Sequence, residues 1–175
     1  MKVLIILTSI LVLVGCDIQF PKKIQAQEIR IERSNAAMIA FQYIDYSEAT
    51  HRQKLKDYIG VDPKRVEWCA AFANAVLQET GIPGSETVSA YPLTARSFLD
   101  WGTKVLKEDI QPGDIVVFPR GSSGWQGHVG FYIKSQTIDG VEYYYILGGN
   151  QSNKVSIDLY RAKRALGIRR HPIID

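Results

Sequence analysis

Gln111-Pro112-Gly113-Asp114-Ile115-Val116-Val117-Phe118 marks the point where the chain changes character. Upstream, apolar residues fall at helical spacing. Here a Pro-Gly-Asp turn runs into four consecutive apolar residues, the pattern of a buried strand. A Gly/Ser loop over 119–127 leads to His128-Val129-Gly130-Phe131-Tyr132-Ile133, a second strand. Asp139-Gly140 marks a hairpin, and further strands are expected over 141–147, 155–159 and 166–169. Helices followed by an antiparallel meander define the α+β class.

The helical half reads backward from that switch. Leu93 to Trp101 predicts a short helix stopped by Gly102. Trp68-Cys69-Ala70-Ala71-Phe72-Ala73-Asn74-Ala75-Val76-Leu77 is the best helix in the chain, ended by Gly81 and Pro83. Its alanines make it slim, so other elements can approach closely. Asp62-Pro63 reads as a cap with Pro at the first helical position. Arg52 to Ile59 predicts a helix stopping at Gly60, and Ser34 caps another through Ala36 to Phe41.

The chain has 175 residues, 46% hydrophobic and 22% charged, which suits one globular domain with its own core. A net charge of +3 with no Lys/Arg-rich run argues against a nucleic-acid partner. Lys2 is followed by an apolar run from Val3 to Val14, too short for a bilayer core that needs about 20 residues. Leu13-Val14-Gly15-Cys16 resembles a bacterial lipobox. That resemblance implies a signal peptide over 1–15, lipidation of Cys16, membrane anchoring and a place in the cell envelope, with 16–33 as a tether.

There are two cysteines, so a disulfide-stapled scaffold is excluded. With Cys16 lipidated, Cys69 is the one remaining thiol of an exported chain, which flags it as reactive. A helix N-terminus and a nearby imidazolium would both stabilise its thiolate. Of three histidines, His51 and His171 read as solvated surface groups. His128 opens a strand after a flexible loop, framed by Gly127 and Gly130. A three-residue hairpin loop, Ile138-Asp139-Gly140, pairs Thr137 with Val141 and sets His128 opposite Asn150 on one face. Gly130 then faces Gly148, leaving a bare floor for the slim helix. A two-residue loop shifts the register by one and sets Gln151 opposite His128 instead. Both readings stay open.

Together, Trp68-Cys69-Ala70-Ala71-Phe72, Pro112-Gly113-Asp114-Ile115-Val116-Val117-Phe118, Gly127-His128-Val129-Gly130-Phe131 and Gly148-Gly149-Asn150-Gln151 resemble the NlpC/P60 and CHAP superfamily. These are papain-like cysteine peptidases and amidases of bacterial cell walls. The resemblance implies a papain-like fold with N-terminal helices on a small antiparallel sheet, over a catalytic domain of residues 34–175. It implies Cys69 as nucleophile with its own N–H as an oxyanion donor, His128 as base and Asn150 as the third, polar residue. Tyr58 is its candidate for a second oxyanion donor. The substrate implied is peptidoglycan, cut at an amide bond through an acyl-cysteine. Where the NlpC/P60 enzymes usually carry Asp-Cys-Ser, this chain has Trp68-Cys69-Ala70, closer to the CHAP side. Two alternatives stand beside hydrolysis: a catalytically silent wall-binding lipoprotein, and an acyltransferase that uses the same triad.

Other features promise less. Gly121-Ser122-Ser123-Gly124 lacks the Lys of a phosphate loop. Trp125 in the same loop either stacks on a sugar or peptide or covers the core edge. Trp68 and Trp101 read as core, and Tyr143-Tyr144-Tyr145 as cross-strand packing. No residue grouping has metal-ligand spacing, and no cofactor is expected.

Overall fold

The computed structural model describes residues 36–171. The signal segment, Cys16, the tether and the Ser34 cap lie outside the described residues. Residues 36–41 are helical (α1), followed by α2 (Arg52–Ile59) and α3 (Cys69–Glu79). Gly60 closes α2 in the left-handed conformation (φ 74°), its N–H donating to Lys56 O, as glycine at that position allows. Asp62-Pro63 makes only a turn. The Asp62 carboxylate accepts the Lys64 N–H and is gripped by Arg52 at 2.9 Å, and α-helix resumes at Cys69. The helix expected over 93–101 is a five-residue 3₁₀ segment, Ala95–Leu99. There Ser97 Oγ donates to Thr94 O, a local bond that competes with α-helical pairing.

The strands are β1 (Thr103–Lys104), β2 (Ile115–Pro119), β3 (Gly127–Ile138), β4 (Val141–Gln151), β5 (Lys154–Arg161) and β6 (Gly167–Arg170). They form one six-stranded antiparallel sheet in the order β1-β6-β2-β3-β4-β5. The architecture is the expected α+β arrangement of N-terminal helices on an antiparallel sheet. The Pro-Gly-Asp turn is anchored from the last strand: buried Asp114 takes Arg170 Nε and Nη2 at 2.7 Å each and caps the Gln111 N–H.

Strand alternation divides the core in two. Ile115, Val117, Val129, Phe131 and Leu147 meet Ala70, Phe72, Ala73 and Val76 of α3. Val116, Phe118, Tyr132, Tyr144, Ile146 and Ile168 form a second cluster on the other face.

The hairpin differs from the three-residue loop expected. Ile138 pairs with Val141, so the turn is Asp139-Gly140, both at positive φ (50° and 73°), the two-residue type suited to twisted strands. A bulge at Ile133 then shifts the register, so that Tyr132 pairs with Ile146 and Phe131 with Leu147.

The bare floor beneath α3 is a different glycine from those expected. Gly130 and Gly148 point to the face away from the helix, and Gly149 lies beneath Trp68 and Phe72. A Cβ on Gly149 would sit 2.5 Å from Trp68 Cζ3 and 2.7 Å from Phe72 Cβ. Gly149→Ala should therefore destabilise the fold by about 1–3 kcal/mol through overpacking. Urea unfolding measures it, and an unchanged midpoint would show that the helix is not seated this tightly.

Candidate active site

Cys69 is the first residue of α3, so its backbone N–H has no acceptor within the helix. The side chain is 3% exposed in the helix-side core, and it is the one free cysteine among the described residues. Its sulfur lies against the backbone N–H groups of Val129 and Ala70. Burial pushes the thiol above its ordinary pKa. Those two N–H groups and the Arg120 guanidinium pull it down, and Glu67 pushes it up. Burial thus works against the thiolate anticipated from the sequence.

His128 pairs with Phe118 across β2 and β3, which puts its side chain on the face away from α3. Its ring stacks on Tyr160 at 5.3 Å and 11°, and Tyr160 stacks in turn on Phe118 at 4.6 Å. Nε2 is 2.9 Å from Gln151 Oε1. Gln151 Nε2 donates to Ser156 O at 2.7 Å and to Ile146 O at 3.3 Å, which leaves the amide one sensible orientation. Oε1 must accept, so neutral His128 carries its proton on Nε2 and keeps the Nδ1 lone pair free. Burial pushes the imidazole down to about 4, with the Gln151 bond opposing and Arg120 adding to the fall.

The structure brings the Cys69 sulfur to Val129, one residue from His128, but no hydrogen bond joins thiol to imidazole. The third position needs correcting: Gln151, the alternative the sequence left open, holds His128, and Asn150 does not. The cause is a second bulge. Gly148 pairs with Ser156 but Gln151 with Lys154, so β4 gains a residue, taken up at Asn150 with φ 59°. The extra residue turns Gln151 onto the face of Gly148 and His128. Asn150 instead donates Nδ2 to Glu67 Oε2 at 2.6 Å.

Tyr58 is also corrected. Its hydroxyl donates to Glu79 Oε2 at 2.7 Å and its ring stacks on Tyr43 at 4.2 Å. Glu79 ends the helix that Cys69 begins, about 15 Å away for eleven residues. The Tyr58 hydroxyl is thus engaged by Glu79 at the C-terminal turn of α3 and makes no hydrogen bond toward Cys69 among the described residues.

A groove of about 390 Å³ opens over the sulfur, walled by Glu67, Leu93, Thr94, Arg120, Trp125 and Gln126 among others. Trp125 is 69% exposed there, a free indole face beside Cys69. Arg120 Nη1 spans the groove to Glu67 Oε2 at 2.6 Å. Sequence reading missed Glu67, Arg120, Ser156 and Tyr160. None belongs to a quotable motif; only the position of Arg120, just after the strand and at the start of the loop, hinted at a groove wall. Trp68, by contrast, is fully buried with its indole N–H on Glu48, as expected of a core residue. His51 stacks on Tyr46 at 4.1 Å and bonds Thr50, away from the groove.

Comparison with known proteins agrees with this architecture. Residues 61–150 match the CHAP domain family. No curated protein matches the chain. Among solved structures, the P60 domain of an antigen from M. avium paratuberculosis is similar with a TM-score of 0.53 at 13% identity, over 84% of this chain and 98% of that one. At that identity the likeness speaks for the fold. A protein of Staphylococcus aureus subsp. aureus Mu50, described as similar to lipoprotein, NLP/P60 family, aligns with a TM-score of 0.49 at 16% identity, over 80% of this chain and 41% of that one.

The depressed imidazole makes stability depend on pH. Unfolded, His128 titrates near 6.5, and folded, at about 4. Between those values the unfolded chain binds a proton that the folded one refuses. Stability should fall as pH drops from about 6.5 to about 4 and level off below for this group, by up to about 3 kcal/mol. Urea titrations at stepped pH would show it, with His128→Gln flattening that part of the curve. An equally steep curve in the variant would assign the effect to other groups.

Proposed function

The chain belongs to the CHAP family, and we propose that it is a cysteine hydrolase cutting an amide bond of peptidoglycan, as an endopeptidase or amidase, through an acyl-Cys69 intermediate. In this reading it faces the wall from a membrane, held there by lipid on Cys16. The observation that carries the proposal is the fixed tautomer of His128. Its lone pair sits on the ring nitrogen that Gln151 does not hold, one residue along the strand from the N–H that touches the Cys69 sulfur.

The chemistry follows from a neutral pair. With the thiol pushed up and the imidazole pushed down, ionisation accompanies attack and does not precede it. Nδ1 takes the thiol proton as sulfur adds to the amide carbonyl. The resulting oxyanion is met by the Cys69 N–H, left unpaired at the first helical position. Collapse breaks the C–N bond, and the departing nitrogen takes the proton back from Nδ1 as amine. Water, deprotonated by the same Nδ1, then adds to the thioester carbonyl; collapse breaks the C–S bond, releases the acid, and returns the proton from Nδ1 to the Cys69 sulfur. Throughout, Nε2–H stays on Gln151 Oε1, which keeps the ring from rotating.

The burial of the thiol also favours a second reading, a wall-binding domain whose triad is silent. One experiment on the full chain separates the two. The hydrolase should release soluble muropeptides from purified sacculi, with Cys69→Ala lowering the rate about 10³-fold or more and Gln151→Ala about 10²-fold in kcat. Equal release by wild type and Cys69→Ala, or binding to sacculi without release, would leave the binding domain standing. Mass spectrometry of the new termini identifies the bond.

A further inference from the structure

The ion pair across the groove is built like a receptor with a ligand already in place. One oxygen of Glu67, Oε2, takes both Arg120 Nη1 and Asn150 Nδ2, each at 2.6 Å. Among the described residues, neither the other Glu67 oxygen nor the remaining Arg120 N–H groups have a hydrogen-bond partner. A guanidinium can grip a carboxylate by two parallel bonds, and this one makes a single bond, so its fork is half empty. The pair also lies open to water, with side-chain exposures of 72% for Glu67 and 43% for Arg120. Exposed pairs of this kind are weak and easily exchanged.

Charge around the loop points the same way. Arg96 Nε donates to Gln126 O and Arg164 Nη2 to Pro119 O, fastening the two ends of the loop that carries Arg120 and Trp125. Backbone carbonyls do not neutralise these cations, and neither arginine forms an ion pair among the described residues. Arg96 and Arg164 thus add positive charge at the base of the loop, and Arg120, the one of the three that lines the groove, is answered by Glu67. Asn150 adds a neutral donor at a position that its left-handed backbone fixes.

We propose that Arg120 and Asn150 form a carboxylate subsite, filled by Glu67 in the free protein and taken over by a substrate carboxylate close to the bond that Cys69 attacks. The ligand class is a peptide with a free carboxylate lying in the groove. Glu67 acts as an internal competitor, so ligands without a carboxylate leave it in place and those with one displace it. The proposal rests on the hydrolase reading only for which bond lies beside the subsite; binding itself is independent of catalysis.

The test uses acetyl-dialanine, of both chiralities, as the free carboxylate and as the primary amide, added to the full chain carrying Cys69→Ala. Binding is followed by NMR on the Asn150 side-chain amide and the Arg120 Nε–H. The free acid should shift both signals and bind about 10-fold more tightly than the amide. Adding Arg120→Met should abolish that difference, and Arg120→Lys, which keeps the charge but loses the fork, should keep part of it. Adding Glu67→Ala should tighten the acid about 3-fold or more and leave the amide unchanged. Equal binding of acid and amide, or a preference that survives Arg120→Met in a folded chain, overturns the subsite. A carboxylate preference in a protein that releases nothing from sacculi would sink the hydrolase and keep the subsite; release without any preference would do the reverse.

Discussion

The side-chain amide of Gln151 cannot turn, and the arrangement of the site depends on that. Its nitrogen faces two backbone carbonyls, Ser156 O and Ile146 O, so a flipped amide would set oxygen against oxygen. The only orientation left presents Oε1 to His128 Nε2 and dictates which ring nitrogen bears the proton. This constraint traces to the backbone. Without the extra residue at Asn150, strict alternation would aim Gln151 at α3 and set Asn150 on the face of His128 in its place. A single left-handed residue therefore reaches through one side chain to the protonation state of another. Asn tolerates that conformation better than most non-glycine residues.

Burial then sets the resting charge. Two groups that could form a thiolate–imidazolium pair are both driven toward neutrality, because charge in so dry a place loses hydration that few partners replace. The opposing influences on the sulfur are modest by comparison: two backbone N–H groups and a guanidinium, with that guanidinium largely answered by Glu67. A thiol kept protonated reacts slowly with oxidants, since the thiolate is the reactive form. In the proposed hydrolase, the same restraint couples proton transfer to Nδ1 with bond formation.

Much of this was legible in the amino-acid order. The switch at Pro112-Gly113-Asp114 marked the change from helix to sheet, the alanines of α3 announced a close-packed helix, and the placement of Cys69 at that helix's start was readable. The hairpin was legible in part. Asp139-Gly140 signals a two-residue turn, which would have moved the balance toward Gln151. Yet the bulge at Ile133 undoes the shift that turn produces, and the bulge near Asn150 changes the facing again. Bulges leave no reliable mark on apolar alternation, so counting pairs from the turn could not find the third residue for the right reason. Tyr58 failed on a different ground. Its ring packs against Phe72 while its hydroxyl is taken by Glu79 at the other end of α3, and the chain order of two helices does not say which side chains meet. The Glu67–Arg120–Asn150 contact joins three separate segments and has no local signature at all.

Alternation also explains why the histidine must open its strand. Val129 and Phe131 pack beneath α3, so His128 faces the second cluster, with the strand's own backbone between it and the helix. In the middle of the sheet, that backbone would separate imidazole from thiol completely. At the first residues of β3 the sheet ends, the groove opens, and a sulfur lying on the Val129 N–H is next to the imidazole's own residue. Gly127 keeps this edge thin: a Cβ there would sit 3.0 Å from Phe118 O and 3.3 Å from Ala95 Cβ. In the proposed hydrolase, the start of this strand is where groups from its two faces, each fixed by a different core, come within one residue of each other.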